Sequence, residues 1–221
     1  MLAFGAPILV GQLGEIAIFQ SSSLLIANRL GPEQVPRYTV PYAMFLAAAQ
    51  VCHAIYSPYW PAFTEAAARG DWCWIRARVS RILRINLAIT ILACAGMIAA
   101  GRRVIHLWAG PSAVPEQSLL VSMSVYFALL APASVTGMLM WALGLVGRQS
   151  VLTLGVGVCQ IGGFLLLVPR FGLPALPLAG AAGLFASAAL SCVFALRHMQ
   201  SLSGANRSVR GNSPPAPEPT G

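Results

Sequence analysis

Six apolar stretches run almost end to end through this 221-residue chain, near positions 4–28, 38–60, 81–101, 118–143, 149–168 and 174–196. A helix needs roughly 20 largely apolar residues to cross ~30 Å of hydrocarbon, and each stretch approaches or exceeds that length. With 57% hydrophobic and only 9% charged residues, the composition lies far from that of a soluble domain of this size. The expected fold is therefore all-α: a polytopic transmembrane helix bundle of about six spans over residues 1–200. A disordered, polar cytoplasmic tail over 201–221 follows, ending in NSPPAPEPTG.

The net charge is +8, and every basic residue is Arg. Most of these arginines fall in loops beside the apolar stretches, where they set topology and meet anionic lipid head groups; no nucleic-acid partner is expected. The five cysteines (Cys52, Cys73, Cys94, Cys159, Cys192) occur singly, and His53, His106 and His198 are far apart in sequence. Neither a disulfide framework, a metal site nor a cofactor follows from such spacing. The N-terminus lacks the basic n-region of a secretory signal and reads as a span. That span begins almost at Met1 with no flanking loop, so the chain is expected to be a piece of a longer protein.

Along the chain, the first span stops at Asn28-Arg29-Leu30-Gly31-Pro32. The second begins near Tyr38 with Pro41 in its first turn and ends at Tyr56-Ser57-Pro58-Tyr59-Trp60-Pro61, an aromatic interface segment. Residues 63–84 are polar and rich in Arg, with Gly70-Asp71 as a C-cap and N-cap pair between a short interfacial helix and the long third helix. After Arg102-Arg103, residues 104–110 read as a separate segment lying in the interface, anchored by Trp108. The fourth and fifth helices, joined by a tight loop with Arg148, form an antiparallel hairpin, and Pro132 is expected to kink the fourth. Arginines on alternate sides number nine against five, which predicts that both termini are cytoplasmic.

Glu15 is the acidic residue placed deep in a span, where an ionisable group is costly and a functional role is the default reading. Helical spacing puts Gln12, Glu15, Ser22 and Arg29 on one stripe, a polar face suited to a water-filled path with Glu15 as a proton or cation site. The competing reading is a neutral carboxyl hydrogen-bonded to another helix. Gln50 and His53 extend a polar lining at i, i+3, although His53 alone is better read as a structural histidine. Arg81 and Arg84 share a face and suit either a diphosphate or lipid phosphates. Ala179, Gly183, Ser187, Ser191 and Ala195, with Gly155, Cys159 and Gly163, recur every four residues and read as packing seams. No phosphate loop, nucleophile elbow or paired carboxylates appear, so no enzyme is expected.

Four stretches carry a resemblance: LGPEQVPRYTV, YWPAFTEAAARGDWCWIRARVSRIL, VIHLWAG and MLMWALGLVGRQ, in that order. With them the chain resembles the polysaccharide biosynthesis branch, the lipid-linked oligosaccharide flippases, of the multidrug/oligosaccharidyl-lipid/polysaccharide exporter superfamily. The resemblance implies an arrangement of two six-helix lobes around a cavity, of which this chain is similar to the second. It implies the bacterial inner membrane, and the movement of a lipid-linked oligosaccharide across it for cell-surface polysaccharide such as lipopolysaccharide O-antigen. It further implies a second lobe as partner, either another copy or a separate first half. Under it, Gln12, Ser22 and Gln50 become candidates for sugar contacts and Arg29, Arg81 and Arg84 for the diphosphate. The alternatives are a multidrug or cation-coupled extruder of the same superfamily, with Glu15 as coupling carboxylate, and an inactive membrane remnant.

Overall fold

A computed structural model of the chain describes residues 9, 11–14 and 21–211. Besides a helical segment at 11–14, they form α1 (Ser21–Leu30), α2 (Gln34–Tyr56), α3 (Tyr59–Arg69), α4 (Trp72–Ala109), a 3-10 turn (Pro111–Ala113), α5 (Gln117–Ala142), α6 (Val146–Phe171) and α7 (Ala175–Gly211). The described chain is an all-α bundle. By length and composition, α4, α5, α6 and the Ala175–Met199 part of α7 are each able to cross a membrane, which makes this a multi-pass membrane protein.

That is four such helices where the sequence predicts about six spans. The first stretch is described only in parts. Helix α2 has 23 residues, but Gln34, Gln50, His53 and the tyrosines at 38, 42 and 56 make it less apolar than the others. It turns Tyr38, Phe45, Cys52 and Tyr56 into the bundle.

Three boundaries differ from expectation. Helix α2 starts at Gln34, so Pro41 lies inside it and not in its first turn. Residues 104–109 continue α4 and form no separate interfacial segment, because nothing breaks the helix before Gly110 (φ 82°) and Pro111. At 38 residues α4 is about 57 Å long, well beyond the hydrocarbon thickness, which carries its Arg-rich start out of the apolar layer. Finally, α7 runs on to Gly211, past position 200, where the sequence predicts the start of the tail. The stretch 201–211 contains no proline, and the Pro-rich end, 212–221, lies outside the described residues.

The cap pair at 70–71 forms as the sequence suggests. Gly70 takes the left-handed conformation (φ 72°) and its N–H bonds the carbonyls of Ala66 and Ala67, while Asp71 accepts from the Trp74 N–H at 3.1 Å. The amphipathic α3 is thereby turned back onto the start of α4, burying Phe63 and Ala66.

Helix α7 is the hub, packed along both α6 and α5, and α5 in turn supports α4. The α5–α6 connection is tight, with Gly144 at φ 74°, but the two helices touch little; the expected hairpin is a chain connection whose helices pack on α7 instead. Small residues permit this. A side chain on Gly163 would stand 2.6 Å from Ala179 Cβ, and one on Gly183 would stand 3.2 Å from Cys159 Cβ. Gly155 is not in this seam, for it is exposed with nothing near it. Two apolar clusters result. One gathers Ile26, Phe45, Met123, Phe127, Phe164 and Leu176; the other, toward the α3 end, gathers Phe63, Ile75, Ile82, Leu139 and Met140.

Candidate functional site

An open cleft of about 770 Å³ enters the bundle between these clusters. Its wall is built from residues 11–12, the second half of α2, the start of α3, the second half of α5, the start of α6 and the middle of α7. Gly14 allows this closeness, since a side chain there would lie 2.8 Å from the Leu154 backbone nitrogen. Residues 11–14 thus lean directly on α6.

The chemistry of the wall is uniform. Amides (Gln12, Gln50, Gln149), hydroxyls (Ser134, Ser150, Thr153, Ser187) and aromatic rings (Tyr56, Trp60, Trp141) alternate with Ala, Leu and Met. No Asp, Glu, Lys or Arg stands among the described lining residues. At the mouth, Trp60 of α3 and Trp141 of α5 meet edge to face with centroids 6.5 Å apart and remain 48% and 36% exposed. His53 stacks edge-on against Tyr56 at 5.1 Å. Deeper in, Ser191 Oγ donates to Gln149 Oε1 at 3.0 Å, and the absence of a side chain on Gly137 leaves room for Gln149 Nε2. The buried Gln149 amide is therefore held at its oxygen by Ser191, with its N–H₂ end packed against Gly137 of α5.

A second polar contact closes the inner end of the bundle. Gln160 Nε2 donates to Ser22 Oγ at 3.4 Å, both residues being buried. Gly180 makes the space, since a side chain there would lie 2.6 Å from the Tyr126 ring and 2.8 Å from Gln160 Oε1. Tyr38 and Tyr42 stack beside this contact at 5.6 Å.

The residues singled out in the sequence separate accordingly. Gln12, Gln50 and His53 lie on the cleft wall. Ser22 does not; it is buried and faces Gln160 within the bundle. Glu15 lies outside the described residues. Arg29 is exposed at the far end of α1, and Arg81 and Arg84 are exposed on α4, which contributes nothing to the cleft. Arg81 and Arg84, which suit either a diphosphate or lipid phosphates, are therefore absent from the described cleft wall. Sequence reasoning passes over Gln149, which stands at the edge of a loop, and Trp141, and it reads Ser191 only as packing. The available signal is a neutral amide, at 149, in the first turn of an apolar stretch.

The helical fold has solved counterparts. No protein-family model matches the chain, and no curated protein matches it by sequence. The crystal structure of a MATE point mutant superposes with a TM-score of 0.78 at 16% identity, over 90% of this chain and 46% of that one. The fold resembles half of a MATE transporter. A second crystal structure, MATE in complex with MaL6, gives a TM-score of 0.75 at 17% identity over the same shares. This chain thus spans about half the length of the MATE structures it matches, and the likeness to MATE is one of fold.

Proposed function

We propose that the chain is one lobe, similar to the second, of a bacterial inner-membrane transporter that moves a lipid-linked oligosaccharide outward for cell-surface polysaccharide synthesis. The observation that carries the lobe reading is the half-length likeness: nine-tenths of the chain superposes on 46% of a MATE structure. The four sequence stretches quoted above favour the polysaccharide branch, and the amide- and hydroxyl-rich cleft suits a glycan. Rocking one bundle against another needs two lobes, so another copy or a separate six-span chain supplies the facing wall. Gln12, Glu15, Gln50 and His53 line the path, Ser22 backs it, and Arg29, Arg81 and Arg84 meet phosphates at the membrane surfaces outside the cleft. Both termini are cytoplasmic by the arginine bias.

A multidrug or cation-coupled extruder is the second reading, favoured by the MATE identity of the matched structures. The two are separated by reconstituting the chain with its second lobe and offering both cargoes. Fluorescent undecaprenyl-diphosphate oligosaccharide should change leaflet while ethidium is not extruded. Ethidium extrusion without glycolipid movement would replace this reading with the second.

A further inference from the structure

We infer that the cleft is a saccharide subsite: it takes an uncharged sugar unit, stacked at Trp60 and Trp141 and hydrogen-bonded by Gln12, Gln50 and Gln149, while the charged head group of the same molecule stays outside. This rests on the transport reading above and sharpens it. Sugars present weakly apolar C–H faces and rings of hydroxyls, so a sugar site pairs exposed aromatic faces with neutral groups that both donate and accept hydrogen bonds. Amide side chains do both. The cleft offers these and, on its described wall, no formal charge from Asp, Glu, Lys or Arg. Against this described wall an anionic diphosphate meets no counter-charge from Lys or Arg, whereas an uncharged sugar meets groups that can pair with its hydroxyls.

The geometry is prepared in advance. Ser191 occupies Gln149 Oε1 and so holds the amide, whose N–H₂ end lies against Gly137 at the buried edge of the cleft; Ser191 is thus a positioning residue. Trp60 and Trp141 come from different helices and meet edge to face, so each keeps ring surface open at the mouth. Tryptophans are common at membrane interfaces, but there they face lipid, whereas these two belong to the cleft wall. A volume near 770 Å³ lies within the ~300–1,000 Å³ that compact ligands occupy.

Saturation-transfer NMR on the full chain in nanodiscs, titrated with maltotriose, tests this directly. Saturable binding is expected. Trp60→Leu and Gln50→Leu, both at exposed positions that leave the core intact, should weaken it by about tenfold each, the equivalent of one stack or one amide contact. Trp108→Leu, on the 74%-exposed Trp108 at the end of α4, should leave it unchanged. Ser191→Ala should weaken maltotriose binding with no loss of thermal stability large enough to unfold the chain. No saturable signal, equal weakening by Trp108→Leu, or displacement of maltotriose by tetraphenylphosphonium at lower concentration would overturn the proposal. Glycolipid movement without maltotriose binding would remove this subsite alone; maltotriose binding with ethidium as the only transported cargo would keep the subsite and remove the transport reading.

Discussion

At the scale of single residues, the bundle depends on a few places where the lack of a side chain lets a polar group in. Gly180 is one: it admits Tyr126 and Gln160 together, and neither a ring edge nor a hydrogen-bonded amide can retreat easily. Gly180→Ala should therefore destabilise the chain by about 1–3 kcal/mol, the usual cost of overpacking. Gly155→Ala, in the same kind of helix but with open space around it, should be neutral or stabilising by about 0.5 kcal/mol. Thermal unfolding of the two variants in one detergent separates them, and equal effects would contradict the packing described. Of the residues that make the cleft, Gln12, Gln50 and His53 were legible because they interrupt apolar helices at spacings that share a face. Gln149 and Ser191 were not: their contact joins positions 42 residues apart and depends on α7 packing against both α5 and α6. For Arg81 and Arg84 the sequence left a diphosphate and lipid phosphates both open, and they stand exposed on α4, away from the described cleft wall. Their spacing correctly put them on one face of α4, but spacing along a helix does not say which face the cavity takes.

At the scale of helices, short-range signals were the most readable. Gly70-Asp71 announced a stop and a start, and both form as capping chemistry requires. Removing the Asp71 cap by Asp71→Ala should cost about 1 kcal/mol and let the first turn of α4 fray, seen as faster amide exchange at Trp72–Trp74. The four-residue rows of small residues marked close-packing surfaces without naming their partners, and Gly163, Cys159, Ala179 and Gly183 do meet where α6 packs on α7, whereas Gly155 does not. Gly163→Leu should split that seam, because Ala179 Cβ already occupies the space a side chain would need. The measured outcome would be loss of the folded monomer peak in detergent chromatography. What the helices did not reveal was their partners. A tight loop suggested that α5 and α6 pair, yet turn length fixes only that two ends are near, and the smallest, most closely packing surfaces decide which helices lie together. The continuous α4 was hidden in the same way, since Arg102-Arg103 ends an apolar run without ending a helix.

At the scale of the whole molecule, apolar length established the membrane class from sequence, and the described fold resembles half of the matched MATE structures. The proposed polar cleft then has one wall in this chain and needs a second to enclose a cargo. Flipping measured vesicle by vesicle tests that claim most directly. Fluorescent undecaprenyl-diphosphate oligosaccharide is placed in both leaflets, the protein is diluted to at most one copy per vesicle, and the outer dye is bleached chemically. Vesicles holding a single copy of this chain should retain their inner dye, and bleaching should become complete only when a second lobe is present in the same vesicle. Complete bleaching in single-copy vesicles would contradict the account.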